Sequence, residues 1–176
     1  MENSIEELFQ SELSDKMKDI FLKIQKARNE HDLNTLTLLE SPYLFEQDAR
    51  KIKLLNLNGK KQVKKDIVIH YISLREYYIK DGYEYIEVEI KATLEDYIYQ
   101  LTTNEVVEGI RDYNLTKKYQ VVFKKTKKEE EVSEIVKCIA CNANVETKAL
   151  GKCEYCGTIA YNKEYNWIID RIEESR

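Results

Sequence analysis

The chain has 176 residues, 43 % of them hydrophobic and 34 % charged, with a formal net charge of −4. That supplies one core plus a small appendage, and the acidic balance argues against nucleic-acid binding by bulk charge. Pro is nearly absent and Gly scarce, so no long disordered linker is expected, and no apolar run approaches the roughly 20 residues of a membrane-spanning helix.

Ser4 and Glu7 have the spacing of a capping box. After them Ile5, Leu8, Phe9, Leu13, Met17, Ile20, Phe21, Ile24 and Ala27 recur in steps of three and four, which predicts one long helix to about Asn29 with a core-facing stripe. Asp32 can cap a short helix carrying Leu33, Leu36 and Leu39. Ser41-Pro42 restarts a helix with Ser as N-cap and Pro at the first helical position. Leu44, Phe45, Ala49, Ile52 and Leu55 form its stripe, and Asn58-Gly59 stops it.

From Asp66 onward the residues turn β-branched and aromatic. Ile67 to Ile79 is predicted as a strand, and Asp81-Gly82 as a hairpin turn. The next strand alternates, with Ile86, Val88, Ile90, Ala92 and Leu94 on one face and Glu87, Glu89, Lys91, Thr93 and Glu95 on the other. Tyr97, Tyr99 and Leu101 are then apolar on the opposite phase, which predicts a bulge near Glu95-Asp96. A short strand from Glu105 to Val107 ends at Gly109, and a last strand from about Leu115 to Lys125 puts Tyr119, Val121 and Phe123 on one face. The charge run Lys124 to Glu131 marks a boundary, giving a first domain at 1–132 and a second unit at 133–176. The tail with Tyr165, Trp167, Ile168, Ile169 and Ile172 is expected as a short helix or strand that docks the second unit.

All four cysteines fall in that second unit, as Cys138-Ile139-Ala140-Cys141 and Cys153-Glu154-Tyr155-Cys156, eleven residues apart. Two such pairs can close a tetrahedral tetrathiolate site for one structural Zn²⁺. Asn142 and Gly157 follow the pairs and tolerate positive φ, which lets backbone N–H groups turn toward the sulfurs. Gly151 suits the approach to the second knuckle, and Lys137, Lys148 and Lys152 can offset part of the thiolate charge. Two disulfides are the alternative, disfavoured because the sequence shows no signal peptide and so points to the cytoplasm.

Helices followed by a meander of antiparallel strands is the order of the cone-shaped nuclear-transport-factor-two-like fold. With the terminal knuckles, the chain resembles bacterial relatives of subunit 44 of the mitochondrial inner-membrane import translocase, over roughly residues 5–172. The residues that carry this are Gly151-Lys152-Cys153-Glu154-Tyr155-Cys156-Gly157 and Tyr165-Asn166-Trp167, with Tyr83-Glu84-Tyr85-Ile86 and Asn104-Glu105-Val106-Val107-Glu108-Gly109 as weaker parts. The first knuckle has Ile139 and Asn142 where members often carry Pro and Gly. The resemblance implies an α+β cystatin-like cone, with N-terminal helices packed on a curved antiparallel sheet, plus a small C-terminal zinc ribbon. It also implies a non-enzymatic scaffold linked to transport, which binds a membrane surface or a protein partner.

Within that frame Arg50, Lys51, Lys53, Lys60, Lys61, Lys64 and Lys65 are the membrane-binding candidates, since they cluster in 16 positions of an otherwise acidic chain. The expected location is cytoplasmic, peripheral at the inner face of the cell membrane. Tyr97, Tyr99, Tyr119 and Phe123 are candidates to line a cone pocket, and the alternative function is a soluble binder of a small hydrophobic ligand or lipid there. No catalytic residues are expected: His31, His70 and Asp96 share no recognisable catalytic spacing. No nucleic-acid partner is expected either, because residues 138–157 lack basic and aromatic density around Tyr155.

Overall fold

Ile5, Phe9, Leu13 and Met17 repeat every four residues, slightly more than the 3.6-residue turn of an α-helix, so their stripe would drift around a regular helix. In the computed structural model, which describes residues 2–126, 135–138, 141–146, 153–157 and 167–175, a wider turn absorbs the drift. Helix α1 (Glu2–Leu8) passes through a π-helical turn (Phe9–Leu13) into α2 (Ser14–Glu30). The extra residue of that turn keeps Phe9, Leu13, Met17, Ile20, Phe21, Ile24 and Ala27 on one buried face. Leu8 falls off the stripe and is exposed. Ser4 is not an N-cap, because α1 already runs from Glu2. Helix α2 ends in a left-handed residue, His31, at φ 55°.

The two later helices form where the capping residues predict them. Asp32 accepts a hydrogen bond from the Thr35 N–H at 3.2 Å and starts α3 (Leu33–Leu39). Ser41 accepts one from the Leu44 N–H at 3.3 Å and starts α4 (Pro42–Leu57), and Gly59 at φ 61° turns the chain out of it.

The sheet is antiparallel and curved. Strand β1 (Lys60–Lys80) pairs along its length with β2 (Tyr83–Gln100) through the Asp81-Gly82 turn, both residues at positive φ as a two-residue hairpin of this hand requires. Strand β3 (Val106–Gly109) pairs with the end of β2, and β4 (Leu115–Lys125) pairs with the rest of it. Two short strands, β5 (Ile135–Lys137) and β6 (Asn144–Glu146), form a separate ladder. Strand β7 (Trp167–Ser175) returns to pair with β4, so the main sheet runs β1-β2-β4-β7.

That order redraws the division at 132/133. Trp167 and Ile169 of β7 are buried in the main core, and Ser41 N–H donates to the Ile169 carbonyl at 2.8 Å while its hydroxyl donates to the Asp170 carbonyl at 3.0 Å. The tail is therefore a strand of the cone, and the cysteine unit sits in sequence between two neighbouring strands. Charge runs mark chain boundaries, but pairing decides which strands share a sheet.

The bulge expected at Glu95-Asp96 is not in β2. The β1–β2 register runs unbroken from Lys60↔Gln100 to Lys65↔Glu95, and the shifts follow between Lys65 and Val68, Ile69 and Tyr71, and Leu74 and Glu76. All three place the extra residue on β1, an edge strand, where bulges curve the sheet and blunt the edge against further pairing. Strand β2 keeps its phase. What changes at Asp96 is which face is apolar: the face carrying Ile86 to Leu94 continues into Asp96, while Tyr97 and Tyr99 lie on the other face beneath Arg111, whose guanidinium stands 5.1 and 5.6 Å from their rings.

Helix α2 lies across the inner face of the sheet. Phe21 meets the Tyr119 ring edge-on, with centroids 5.0 Å apart, and Ile86, Val88, Ile90, Val121 and Phe123 complete the layer. Full burial of such side chains is worth about 1.5–3 kcal/mol each.

Candidate functional site

The four cysteines converge. Strands β5 and β6 pair Lys137 with Asn144 and so bring the chain back over the first knuckle. Each knuckle closes in the same way: Asn142 N–H donates to the Cys138 carbonyl at 2.8 Å and Gly157 N–H to the Cys153 carbonyl at 2.9 Å, with φ of 62° and 73°. Tyr155 N–H points at Cys153 Sγ, 3.4 Å away. The four sulfurs lie within 4.8 Å of one another, with Cys138–Cys156 at 3.6 Å and Cys141–Cys153 at 3.5 Å. Metal–sulfur bonds of about 2.3 Å in a tetrahedron put sulfurs about 3.8 Å apart, so the spacing fits one ion at the centre. It does not fit disulfides, whose sulfurs lie at about 2.05 Å. Cys138 and Cys153 are buried while Cys141 and Cys156 face solvent. Lys137 is exposed beside the site; Lys148, Gly151 and Lys152 lie outside the described residues.

The seven basic candidates do not form one patch. Lys64 is buried, with its ammonium 2.7 Å from Glu174. Lys65 pairs with Glu95 at 3.6 Å and Arg50 with Glu46 at 3.1 Å. Strand alternation also sends Lys60 and Lys64 to one face of the sheet and Lys61 and Lys65 to the other. Lys51, Lys53, Lys60 and Lys61 remain near the end of the cone where α4 meets β1. Leu54, Leu57, Leu101 and Val107 are exposed at that end, and the Leu101 N–H is tied to the Gly59 carbonyl at 2.8 Å. A crevice there is lined by Lys51, Leu54, Lys60 and Val107.

The four pocket candidates also separate. Tyr119 and Phe123 are core, while Tyr97 and Tyr99 are on the opposite face of the sheet. His31 caps α2, and His70 sits at a β1 bulge beside Thr93 Oγ1.

Asp96 belongs to a partly buried network that sequence reasoning missed. Lys117 Nζ lies 2.5 Å from Asp96 and 3.2 Å from Glu174, and Lys64 links to the same two carboxylates. Gln62 donates to Asp96 at 2.9 Å. Burial opposes the charge on Asp96 and Glu174, yet the lysines outweigh it and hold both carboxyls below their usual range. Burial likewise opposes the charge on Lys117, and its two carboxylates win, whereas for Lys64 burial prevails and its pKa falls. A signal was available: Asp96 shares the phase of Ile86–Leu94, and Lys117 that of Tyr119–Phe123. Charged residues on a core phase imply partners.

Next to this network Arg28 bonds Asp48 at 2.6 Å and faces Glu40 at 3.6 Å. The Glu40 side chain is fully buried, and burial, with Asp48 nearby, pushes its carboxyl up to about 9, against the pull of Arg28. These groups and α4 frame the mouth of the cone.

Among the described residues, no helix is long and apolar enough to cross a membrane. No curated protein matches the chain. The family model of the Tim44-like domain matches residues 4–136, which takes in the helices, the bulged β1–β2 hairpin, β3 and β4. With three quarters of its length under that match, the chain belongs to the Tim44-like domain family.

Proposed function

We propose that this protein is a non-enzymatic scaffold that docks peripherally on an acidic membrane surface and carries one structural Zn²⁺. The observation that carries the docking reading is the end of the cone where Leu54, Leu57, Leu101 and Val107 are exposed and where Lys51 and Lys60 line one crevice with Leu54 and Val107. Exposed apolar side chains beside lysines suit an anionic interface, where each Lys near the surface adds about 1 kcal/mol. Membership of the Tim44-like family supports a membrane-associated or protein-binding role, linked to transport. The inner face of the cell membrane is the surface this reading assigns. Zinc is favoured because four soft thiolates at tetrahedral spacing suit it, and four protein ligands leave no open position for catalysis.

The test is sedimentation of the zinc-loaded protein with acidic and neutral liposomes at low and moderate salt. Salt-sensitive retention by acidic liposomes is expected, and Leu54→Glu with Leu57→Glu should abolish it. Equal retention of that double variant would remove this end of the cone from the reading. Failure of the unmodified protein to bind acidic liposomes would leave a protein partner as the reading.

A further inference from the structure

The mouth of the cone holds a crevice, half open to solvent, of about 240 Å³ between α2, α4 and strands β1, β4 and β7. Its lining is mostly polar, with Arg28, Asp48, Lys51, Lys64 and Glu174, beside Tyr119 and two aliphatic side chains. At about 30 Å³ per water it has room for roughly eight waters, which suits a small organic molecule. The charged lining also rejects an apolar ligand, since polar groups covered without hydrogen bonds cost free energy.

The charges decide the class. Arg28 is compensated by Asp48 at 2.6 Å, and Lys64 by Glu174 at 2.7 Å. Lys51 is exposed and has no ion pair among the described residues, so the lining keeps one unmatched positive charge. A smaller crevice of about 40 Å³ shares Arg28, Asp48, Lys51 and Lys64, so three cations converge on one corner. Asp48 and Glu174 present carboxylate oxygens with acceptor capacity for ligand hydroxyls. Tyr119 is buried beneath, and its hydroxyl has no hydrogen-bond partner among the described residues. One net positive charge matches a monoanion; a dianion would leave negative charge uncompensated beside two carboxylates.

We infer that the cone mouth binds a small hydroxylated monocarboxylate, with Lys51 taking the carboxylate and Asp48 and Glu174 accepting from its hydroxyls. This site shares Lys51 with the membrane-docking end but is tested apart from it, because that test changes Leu54 and Leu57.

Calorimetric titration of the full zinc-loaded chain with glycerate and lactate tests it, with propionate, inorganic phosphate and matched sodium chloride as comparisons. Saturable 1:1 binding of the hydroxy acids is expected, weaker for propionate and absent for chloride. Lys51→Met should weaken it about tenfold or more, the scale of a hydrogen bond to a charged group. Lys53→Met, on the same helix but outside the cavity lining, should leave it unchanged. Absence of saturable binding by both hydroxy acids overturns the site. Binding that survives Lys51→Met overturns the anchor, and phosphate binding as tightly as glycerate overturns the monocarboxylate assignment.

Discussion

Removing the metal should unfold the cysteine unit and leave the cone standing, including the strand that follows the unit in sequence. The chain between Lys125 and Trp167 is a connection of roughly 40 residues, and a metal held by the four cysteines would tie Cys138 to Cys156 within it, shortening the effective loop to roughly 20. Loop-closure entropy grows only as the logarithm of length, so losing that tie costs β7 about 0.5 kcal/mol. Against this, burial of Trp167 and Ile169 contributes about 1.5–3 kcal/mol each, before the ladder to β4 is counted. For a domain of this size, 0.5 kcal/mol corresponds to about 1–2 °C in melting temperature. Trp167 is the only tryptophan and is 4 % exposed, so its emission reports on β7 directly. Chelation with EDTA should release one metal ion per chain while the emission maximum stays blue and the melting temperature falls by no more than a few degrees. A red shift of the Trp167 emission on chelation, or loss of the cooperative transition, would refute the independence of the sheet from the metal.

Two further outcomes follow from the packing. The Glu40 carboxyl is raised from 4.5 to about 9 by burial, so between those values the folded chain holds a proton that the unfolded chain has lost. Its contribution is fully present below about pH 4.5 and is lost as pH rises through about 9, at up to about 1.4 kcal/mol per pH unit. Glu40→Gln should therefore raise the urea midpoint at pH 8 and flatten its decline from pH 5; an unchanged slope would show that another group sets it. Asp96 and Glu174, lowered by their lysines, act the other way and only under acid, as pH falls through their folded values. Gly109 sits at φ 76°, and a Cβ there would lie 2.3 Å from the Asp96 carbonyl oxygen. Gly109→Ala should destabilise by about 1–3 kcal/mol in urea denaturation, whereas a loss within error would mean β3 can move away from β2.

Local chemistry was the legible part of this fold. The Cys-x-x-Cys knuckles, the Asp32 and Ser41 caps, the Asp81-Gly82 turn and the alternation of β2 are each decided by a few adjacent residues, and each lies where the sequence puts it. What was hidden depends on partners far along the chain. The place of β7 is set by pairing with β4 and by Ser41, more than a hundred residues away. The slip at Tyr97 looked like a backbone bulge because its apolar phase changes, when the cause is Lys64 and Lys117 converging on Asp96 from two other strands, with Glu174 of a third sharing both lysines. The basic cluster was compact in sequence, yet a strand splits neighbours between faces, and one of its members became a buried ion-pair partner.

The position of β7 has a consequence for synthesis. On the ribosome, β4 is made well before β7, and the cysteine unit emerges between them. For that interval the outer edge of β4 has no neighbour and the core lacks Trp167 and Ile169. An open edge beside apolar side chains is an aggregation hazard in a nascent chain. The knuckles, whose ligands span only Cys138 to Cys156, can take up metal during this time and shorten the tether before the closing strand arrives. By the same logarithm the tie favours that closure only about twofold, so metal uptake would shorten the exposed interval modestly.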